Sequence, residues 1–271
     1  MSYSILSPYE EPNFNSGVVR PFECLSNGWQ LIKDQYFLYV GMCLVIVVMV
    51  TCIPFAGIIY GAWMCGIYYA LLGRMRGEPA SFNAIGKGFS FFSQGFIVAL
   101  LSGLPFALIS VAAKLMEMRF DAIAKTYPGE TPVPPEVITE QLTWLAILIC
   151  GFALFHLITG LIFPFAYQLV VERNLSGWQA IKLSARASRA NFGGVFGLLV
   201  LEIILGSFGI VLCCVGLFFV MPVTKAAWTV AYRQVFPAPP EEQPMPPPYP
   251  PPPPPPSFGN AGQYPNRPGE L

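Results

Sequence analysis

Two charged residues lie within apolar stretches of the sequence, and their spacing suits an ion pair. Glu202 precedes the dipeptide Cys213-Cys214 by 11 positions, and Lys225 follows it by 11 positions. If the chain turns at the cysteines, antiparallel helices place both side chains about 17 Å from the turn. Such a pair can fix the register of a hairpin, or it can serve a substrate- or proton-coupled site near the membrane midplane. A third alternative is that Lys225 extends towards the cytoplasmic interface.

His156 is the single histidine of the chain and also lies in an apolar stretch. It can relay protons, or it can simply hydrogen-bond between helices. The sequence contains no GxSxG, HExxH or Walker A motif and no complete GxGxxG. It also lacks a CxxC pair or a Cys/His cluster with zinc spacing. We therefore expect no enzymatic activity, no catalytic residues, no metal and no cofactor.

The composition indicates which solvent surrounds these residues. Hydrophobic residues make up 54% of the 271 residues and charged residues 11%, whereas soluble domains carry about 25% charged residues. Fifteen Lys and Arg balance fifteen Asp and Glu, so no polyanionic partner such as nucleic acid is implied. The composition excludes an ordinary cytosolic enzyme and a disordered protein. It predicts an all-α integral membrane protein whose first partner is the lipid bilayer.

Six apolar segments have about the length that a membrane-spanning helix needs, which is about 20 residues. The first two are separated by a short turn at residues 54–57, and the last two turn at residues 213–214. We expect three helical hairpins, the alternative being that the first and last hairpins are re-entrant. The predicted spans are residues 36–55, 57–73, 94–113, 142–166, 193–212 and 214–232.

The distribution of Lys and Arg predicts the orientation, because cytoplasmic loops are enriched in both. With both termini inside, ten cationic residues face the cytoplasm and three lie in one long outer loop. We therefore expect a multi-pass protein of the cell (inner) membrane with N-in, C-in topology. The inner residues are Arg20, Lys33, Arg74, Arg76, Lys87, Arg173, Lys182, Arg186, Arg189 and Arg233, and the outer ones are Lys114, Arg119 and Lys125.

An internal repeat organises the six spans. Residues 25–33 read LSNGWQLIK, residues 175–182 read LSGWQAIK, and residues 80–87, ASFNAIGK, are a weaker copy. Each copy precedes a predicted span on the cytoplasmic side, so the copies form a direct repeat. We predict units at residues 22–74, 80–173 and 174–233 within a transmembrane domain of residues 22–235. Residues 1–21 are expected to form a disordered cytoplasmic N-terminus.

Each repeat copy has apolar residues at helical spacing together with basic residues. This pattern is typical of an amphipathic helix that lies in the plane of the lipid headgroups. The alternative is a connecting helix packed on the bundle. Ser81 and Ser176 are suited to N-capping such helices. The candidate interfacial anchors are Trp29, Lys33, Phe82, Lys87, Trp178 and Lys182.

Two glycine pairs have the spacing that permits close helix approach in membranes. They are Gly57 with Gly61, and Gly193 with Gly197. The contact can be within the bundle or between protomers, and the pattern does not distinguish the two.

Several motifs resemble those of YciC-like bacterial membrane proteins and of the glycerophosphoryl diester phosphodiesterase membrane domain. They are Pro164-Phe165-Ala166, the segment 170–184 (VVERNLSGWQAIKLS), Asn191-Phe192 and the final span from Gly216 to Pro222. The resemblance covers about residues 20–235. It implies a six-span inner-membrane protein and carries no agreed activity. The proline-rich tail and the long outer loop depart from the family pattern.

The C-terminal residues 236–271 form a segment of different composition. Residues 237–271 contain 16 of the 28 prolines, which favours an extended polyproline II conformation in a disordered cytoplasmic tail. Pro246, Pro247 and Tyr249 belong to a PPxY sequence, a shape that WW-type aromatic grooves bind. The tail thus predicts either recruitment of a soluble polyproline-binding partner or a disordered tether.

Two functions are compatible with these features. We favour a non-enzymatic scaffold or membrane-organising protein, because catalytic motifs are absent and the tail is suited to recruiting a partner. The alternative is a small-solute or proton-coupled transporter or channel component that uses Glu202, Lys225 and His156.

Overall fold

The structure is a computed structural model that describes residues 13–52, 57–127, 134–211 and 215–238. Within these residues the secondary structure is helical and contains no strand. The chain divides into two units, Met1–Pro237 and Ala238–Leu271. The tips of the first and last predicted hairpins and the tail residues Pro246, Pro247 and Tyr249 lie outside the described residues.

Ten α-helices and two short 3₁₀ helices make up the described part of the chain. The 3₁₀ helices are Lys33–Gln35 and Gly88–Phe91. The α-helices are α1 (Pro21–Ile32), α2 (Tyr36–Cys52), α3 (Gly57–Met75), α4 (Asn83–Lys87), α5 (Phe92–Thr126), α6 (Pro135–Ile162), α7 (Ala166–Arg173), α8 (Gly177–Ala190), α9 (Phe192–Val211) and α10 (Val215–Val235).

Among the described residues, four helical stretches are long and apolar enough to cross a membrane. Long apolar helices with exposed aliphatic side chains are what a bilayer requires, because lipid solvates them and every backbone group is bonded within the helix. The chain therefore has the fold of an all-helical membrane protein. The four stretches are Pro21–Val50, Asn83–Leu104, Pro135–Arg173 and Phe192–Gly209.

Helices α5 and α6 are longer than the sequence patterns predict. With 35 residues, α5 extends about 52 Å, well beyond a hydrocarbon core of about 30 Å. The expectation of a long outer loop is therefore wrong for most of its length, since α5 continues to Thr126 and α6 begins at Pro135. An ion pair between Arg119 and Glu140 joins the two extensions, and Lys114 pairs with Glu117 on the next turn.

Helix α1 packs lengthwise against α10 in antiparallel orientation. The backbone N–H of Arg20 donates to Gln234 Oε1 at 3.2 Å, and Gly28 meets α10 one and a half to two turns further along. A Cβ on Gly28 would lie 2.6 Å from the backbone nitrogen of Ala227, so only glycine permits this approach. This arrangement favours a helix packed on the bundle over one lying in the headgroup plane.

The residues that lead into α1 are ordered, although the sequence predicts disorder for residues 1–21. Asn15 N–H donates to the Val235 carbonyl at 2.8 Å, and Val18 N–H donates to Asn191 Oδ1 at 3.0 Å. Val19 is buried. Side-chain and backbone acceptors at the end of α10 and the start of α9 therefore fix residues 13–20, which lack an apolar pattern of their own.

Two glycines allow α3 and α5 to cross at close range. A Cβ on Gly61 would overlap the backbone of Gly95, and a Cβ on Gly95 would lie 2.8 Å from the Gly61 carbonyl oxygen. Gly61 belongs to one of the two glycine pairs that the sequence indicates, and its partner across the helix interface is Gly95. This crossing brings α5 beside the tyrosine-bearing face of α3.

Helix α8 begins with the N-cap that the sequence predicts. The Ser176 side chain accepts from Gln179 N–H, and the Gln179 side chain returns a contact to the Ser176 backbone, so the two form a capping box. The prediction for Ser81 is wrong: α4 has Phe82 at its N-cap position and no side-chain cap. Asn174, two residues before the Ser176 cap of α8, has a φ of 50°. This backbone conformation lets the chain turn sharply between α7 and α8.

Candidate functional site

Glu202 of α9 and Lys225 of α10 form an ion pair. Lys225 Nζ lies 3.4 Å from Glu202 Oε1, and the two side chains are 22% and 23% exposed, respectively. Trp228 lies one turn beyond Lys225 on α10, and its Nε1–H donates to Glu202 Oε2 at 2.7 Å. Each carboxylate oxygen therefore has its own donor, which is the arrangement a partly buried charge needs.

A cavity of about 220 Å³ opens beside this ion pair. Its wall includes side chains from six helices, α3, α5, α6, α7, α9 and α10, so the cavity lies where the bundle converges. Polar groups are unusually frequent for a site between apolar helices. The lining residues with polar side-chain groups are Tyr60, Tyr68, Ser102, His156, Thr159, Tyr167, Glu202, Lys225 and Trp228.

Tyr167 contributes a hydroxyl group to the cavity. Its side chain is buried, and its hydroxyl lies near the Ser102 side chain without forming a well-aligned hydrogen bond to any described residue. The ring stacks on Tyr68, with centroids 6.2 Å apart. Because a buried hydroxyl without a well-aligned partner is unfavourable, this group is available to water or to a ligand in the cavity.

His156 lies on the wall of the same cavity as Glu202 and Lys225. Its ring stacks on Phe152 one turn earlier in α6, at 6.3 Å between centroids. The imidazole is exposed rather than buried. The structure therefore brings together the three polar residues that the sequence indicates inside apolar stretches.

A second cavity of about 220 Å³ adjoins the first and is lined mainly by apolar residues of α2, α3 and α10. Tyr60, Met64 and Lys225 line both cavities. These three side chains therefore separate the polar cavity from the second one. A change in the position of any of them would alter access between the two.

Glu172 of α7 is a buried carboxylate that the sequence patterns do not indicate. Its side chain is 1% exposed, the Tyr232 hydroxyl donates to Oε2 at 2.6 Å, and Arg233 pairs with Oε1. Arg173 adds a contact at 3.8 Å. In the sequence Glu172 follows the predicted fourth span by six residues, lies next to Arg173 and belongs to the motif of residues 170–184, but none of these features indicates a buried carboxylate.

The six candidate interfacial anchors all lie on the exposed surface. On α8 the face that contacts the bundle is buried, and Trp178 lies on the opposite side, 56% exposed. Lys182 Nζ lies 5.7 Å from the centre of the Trp178 ring, a cation–π arrangement. Trp29 on α1 packs edge-on against Tyr36, 5.2 Å away. The buried residues of α8 are Gly177, Ala180, Ile181, Leu183, Ser184, Ala187 and Ser188.

Comparison with known proteins identifies no relative. The chain matches no protein-family model, no curated protein and no solved structure. The resemblance to YciC-like proteins therefore stays a prediction. Among the described residues, no group of three or more His, Cys, Asp and Glu could hold a metal ion.

Proposed function

We propose that the chain is a small-solute or proton-coupled transporter or channel component, and that the cavity beside Glu202 and Lys225 is its site. One observation carries this proposal: a single cavity is lined by the ion pair, by His156 and by the hydroxyl of Tyr167. An ion pair that only fixed the register of the hairpin would not need a cavity beside it. Ionisable groups around a space between membrane helices are typical of substrate and proton pathways.

The adjoining cavity supports movement through the protein as well as binding. A solute or proton that reaches the polar cavity meets Tyr60, Met64 and Lys225 on the side of the second cavity. Lys225 forms an ion pair with Glu202. Protonation of Glu202 would break this pair, allow the Lys225 side chain to move and so change the separation between the two cavities. Catalysis is not part of the proposal.

Water access to the polar cavity can be tested by cysteine labelling. Ser102 lines the cavity, whereas Leu104 on the same helix is exposed on an apolar face. In reconstituted protein, we expect Ser102→Cys to react with a charged methanethiosulfonate reagent faster than Leu104→Cys, each measured above the background of the native cysteines. Equal rates would contradict the proposal.

The proposed membrane arrangement has six spans in three directly repeated hairpins, N-in and C-in. Six helices, α2, α3, α5, α6, α9 and α10, overlap the six predicted apolar segments. Helices α3 and α10 fall outside the four described stretches that are long and apolar enough to cross a membrane, and many of their residues are buried within the bundle. Because helices inside the bundle contact protein rather than lipid, α3 and α10 can carry more polar residues.

The surface of α8 supports a contact with lipid headgroups on the cytoplasmic side. Its buried face packs on the bundle, while Trp178 and Lys182 point outwards together. An aromatic ring beside a cationic group suits the membrane interface.

We also propose that the tail recruits a soluble polyproline-binding partner. The support is the sequence alone, with Pro246, Pro247 and Tyr249 in a PPxY pattern within a proline-rich segment. Affinity purification of the full chain and of a chain ending at residue 236 tests this proposal. Identical partner sets would contradict it.

A further inference from the structure

A third cavity, unrelated to the ion pair, lies between the extended halves of α5 and α6. It has a volume of about 360 Å³. The eight lining residues form two helical stripes that face one another, since residues three and four apart lie on one side of a helix. The lining residues are Ala112, Leu115, Met116 and Arg119 on α5, and Gln141, Trp144, Ile147 and Leu148 on α6.

The buried amide of Gln141 is the feature that this cavity leaves unexplained. Gln141 is 5% exposed, and neither its Nε2 nor its Oε1 has a hydrogen-bond partner among the described residues. A primary amide has two donor hydrogens and one acceptor oxygen. Burying it unpaired is unfavourable, so a molecule in the cavity that both accepts and donates a hydrogen bond would satisfy it.

The cavity changes from polar to apolar along its length. Arg119 and Gln141 lie at one end, and Ala112 and Leu148 lie at the other, seven residues or about 10 Å away along either helix. Arg119 is neutralised by its ion pair with Glu140, so the polar end carries no net charge. The gradient matches an uncharged head group followed by a hydrocarbon chain.

We infer that this cavity binds the chain of a single-chain amphiphile with a neutral hydroxyl head group, such as a fatty alcohol or a monoacylglycerol. The hydroxyl would accept from Gln141 Nε2 and donate to Gln141 Oε1. The hydrocarbon would follow the apolar stripe to Ala112 and Leu148. The outer faces of both helices carry exposed aliphatic side chains, so a bilayer supplies such molecules directly.

Bromine quenching of the tryptophan fluorescence tests this site, because Trp144 lines the cavity. The full chain, reconstituted in lipid nanodiscs to avoid competing detergent, is titrated with 10-bromodecan-1-ol or with 1-bromodecane, which has no hydroxyl. We expect a saturable component for the alcohol, above the linear quenching that partition into the bilayer produces. Ala112→Phe fills the apolar end of the cavity. It should remove the saturable component and leave the linear quenching unchanged.

Gln141→Leu distinguishes recognition of the hydroxyl group from binding of the hydrocarbon chain. It should weaken binding of the bromoalcohol about tenfold, the loss expected for one hydrogen-bonded group, and leave any binding of bromodecane unchanged. Because Leu115→Ala keeps the amide and enlarges the cavity, it should retain saturable binding. Linear quenching alone, or equal affinity in the wild type and Gln141→Leu, would overturn the proposal. A dimer that Ala112→Phe dissociates would also overturn it.

Discussion

Buried and partly buried charges in this protein are held by more than one partner. Glu202 contacts both Lys225 and Trp228, and Glu172 contacts both Tyr232 and Arg233. A charge removed from water loses its hydration, and one partner rarely replaces it. The two sites differ in their surroundings, because Glu202 borders a cavity whereas Glu172 is fully enclosed. In the proposed function Glu202 belongs to the transport site, whereas we expect Glu172 to stabilise the fold.

Glu172→Gln should strongly destabilise the fold. It removes the buried negative charge that Arg233 and the Tyr232 hydroxyl contact, and breaking a buried pair in this way costs about 3–5 kcal/mol. The expected result is a much lower midpoint of thermal unfolding, measured for the purified full chain in detergent.

Glu23→Gln is the matched control for this substitution. Glu23 pairs with Arg20 at the surface, where both side chains are more than half exposed, so its loss should cost less than about 1 kcal/mol. Equal midpoints for the two variants would contradict the structural role of Glu172.

The sequence predicted the Glu202–Lys225 contact because both residues stand out against an apolar background and are equally distant from one turn. It did not predict the Trp228 contact or the Glu172 cluster. Tryptophan and tyrosine are common in membrane helices for packing alone. Which of them donates to a carboxylate depends on how the helices are rotated, and spacing along one helix does not determine that rotation.

The helices contact one another through glycines within the apolar spans and through an ion pair on the polar extensions of α5 and α6. The crossing of α3 and α5 depends on Gly61 and Gly95, where the two backbones touch. It positions Tyr60 on α3 and Ser102 on α5 at the same cavity. The geometry of the candidate site therefore depends on this crossing.

Gly61→Ala should weaken the contact between α3 and α5. The added methyl group overlaps the Gly95 backbone, and overpacking of this kind costs about 1–3 kcal/mol. The measurement is again the midpoint of thermal unfolding of the full chain, which we expect to fall.

Gly103→Ala, on the same α5 helix, is the control. A Cβ at Gly103 meets nothing within 4 Å, and alanine favours the helical state, so its midpoint should stay level or rise. If Gly61→Ala were as stable as Gly103→Ala, the proposed crossing would be incorrect.

At the level of helices, apolar runs predicted most boundaries closely. The predicted segment 193–212 corresponds to α9, which is Phe192–Val211, and the segment 57–73 corresponds to α3, which is Gly57–Met75. The pattern failed for the extensions of α5 and α6, because charged residues were interpreted as a loop. Lys114, Glu117, Arg119 and Glu140 instead form ion pairs on helices.

In the described helices, polar side chains surround the cavity beside the ion pair, and the outward faces are apolar. The exposed faces of α5, α6 and α9 carry aliphatic and aromatic side chains, whereas tyrosines, the ion pair and His156 surround the central cavity. Lipid can solvate the apolar outward faces, whereas the polar groups around the cavity need hydrogen bonds from protein or water. This distribution is the basis of the proposed transport function.

The proposed topology predicts opposite locations for two inserted tags. A tag after Thr126 should lie outside the cell membrane, and a tag after Arg189 should lie inside, because cationic residues favour the cytoplasmic side. Antibody accessibility in intact and permeabilised cells measures both. Labelling of both tags in intact cells would contradict the N-in, C-in arrangement.

Proton flux through the reconstituted full chain tests the central claim most directly. Proteoliposomes carrying a pH-sensitive dye are driven by a potassium diffusion potential, with wild type compared against Glu202→Gln and against the exposed control Glu117→Gln. We predict wild-type flux above that of protein-free liposomes, loss of this flux in Glu202→Gln, and no loss in Glu117→Gln. Flux absent from the wild type, or unchanged in Glu202→Gln, would contradict a transport role for this cavity.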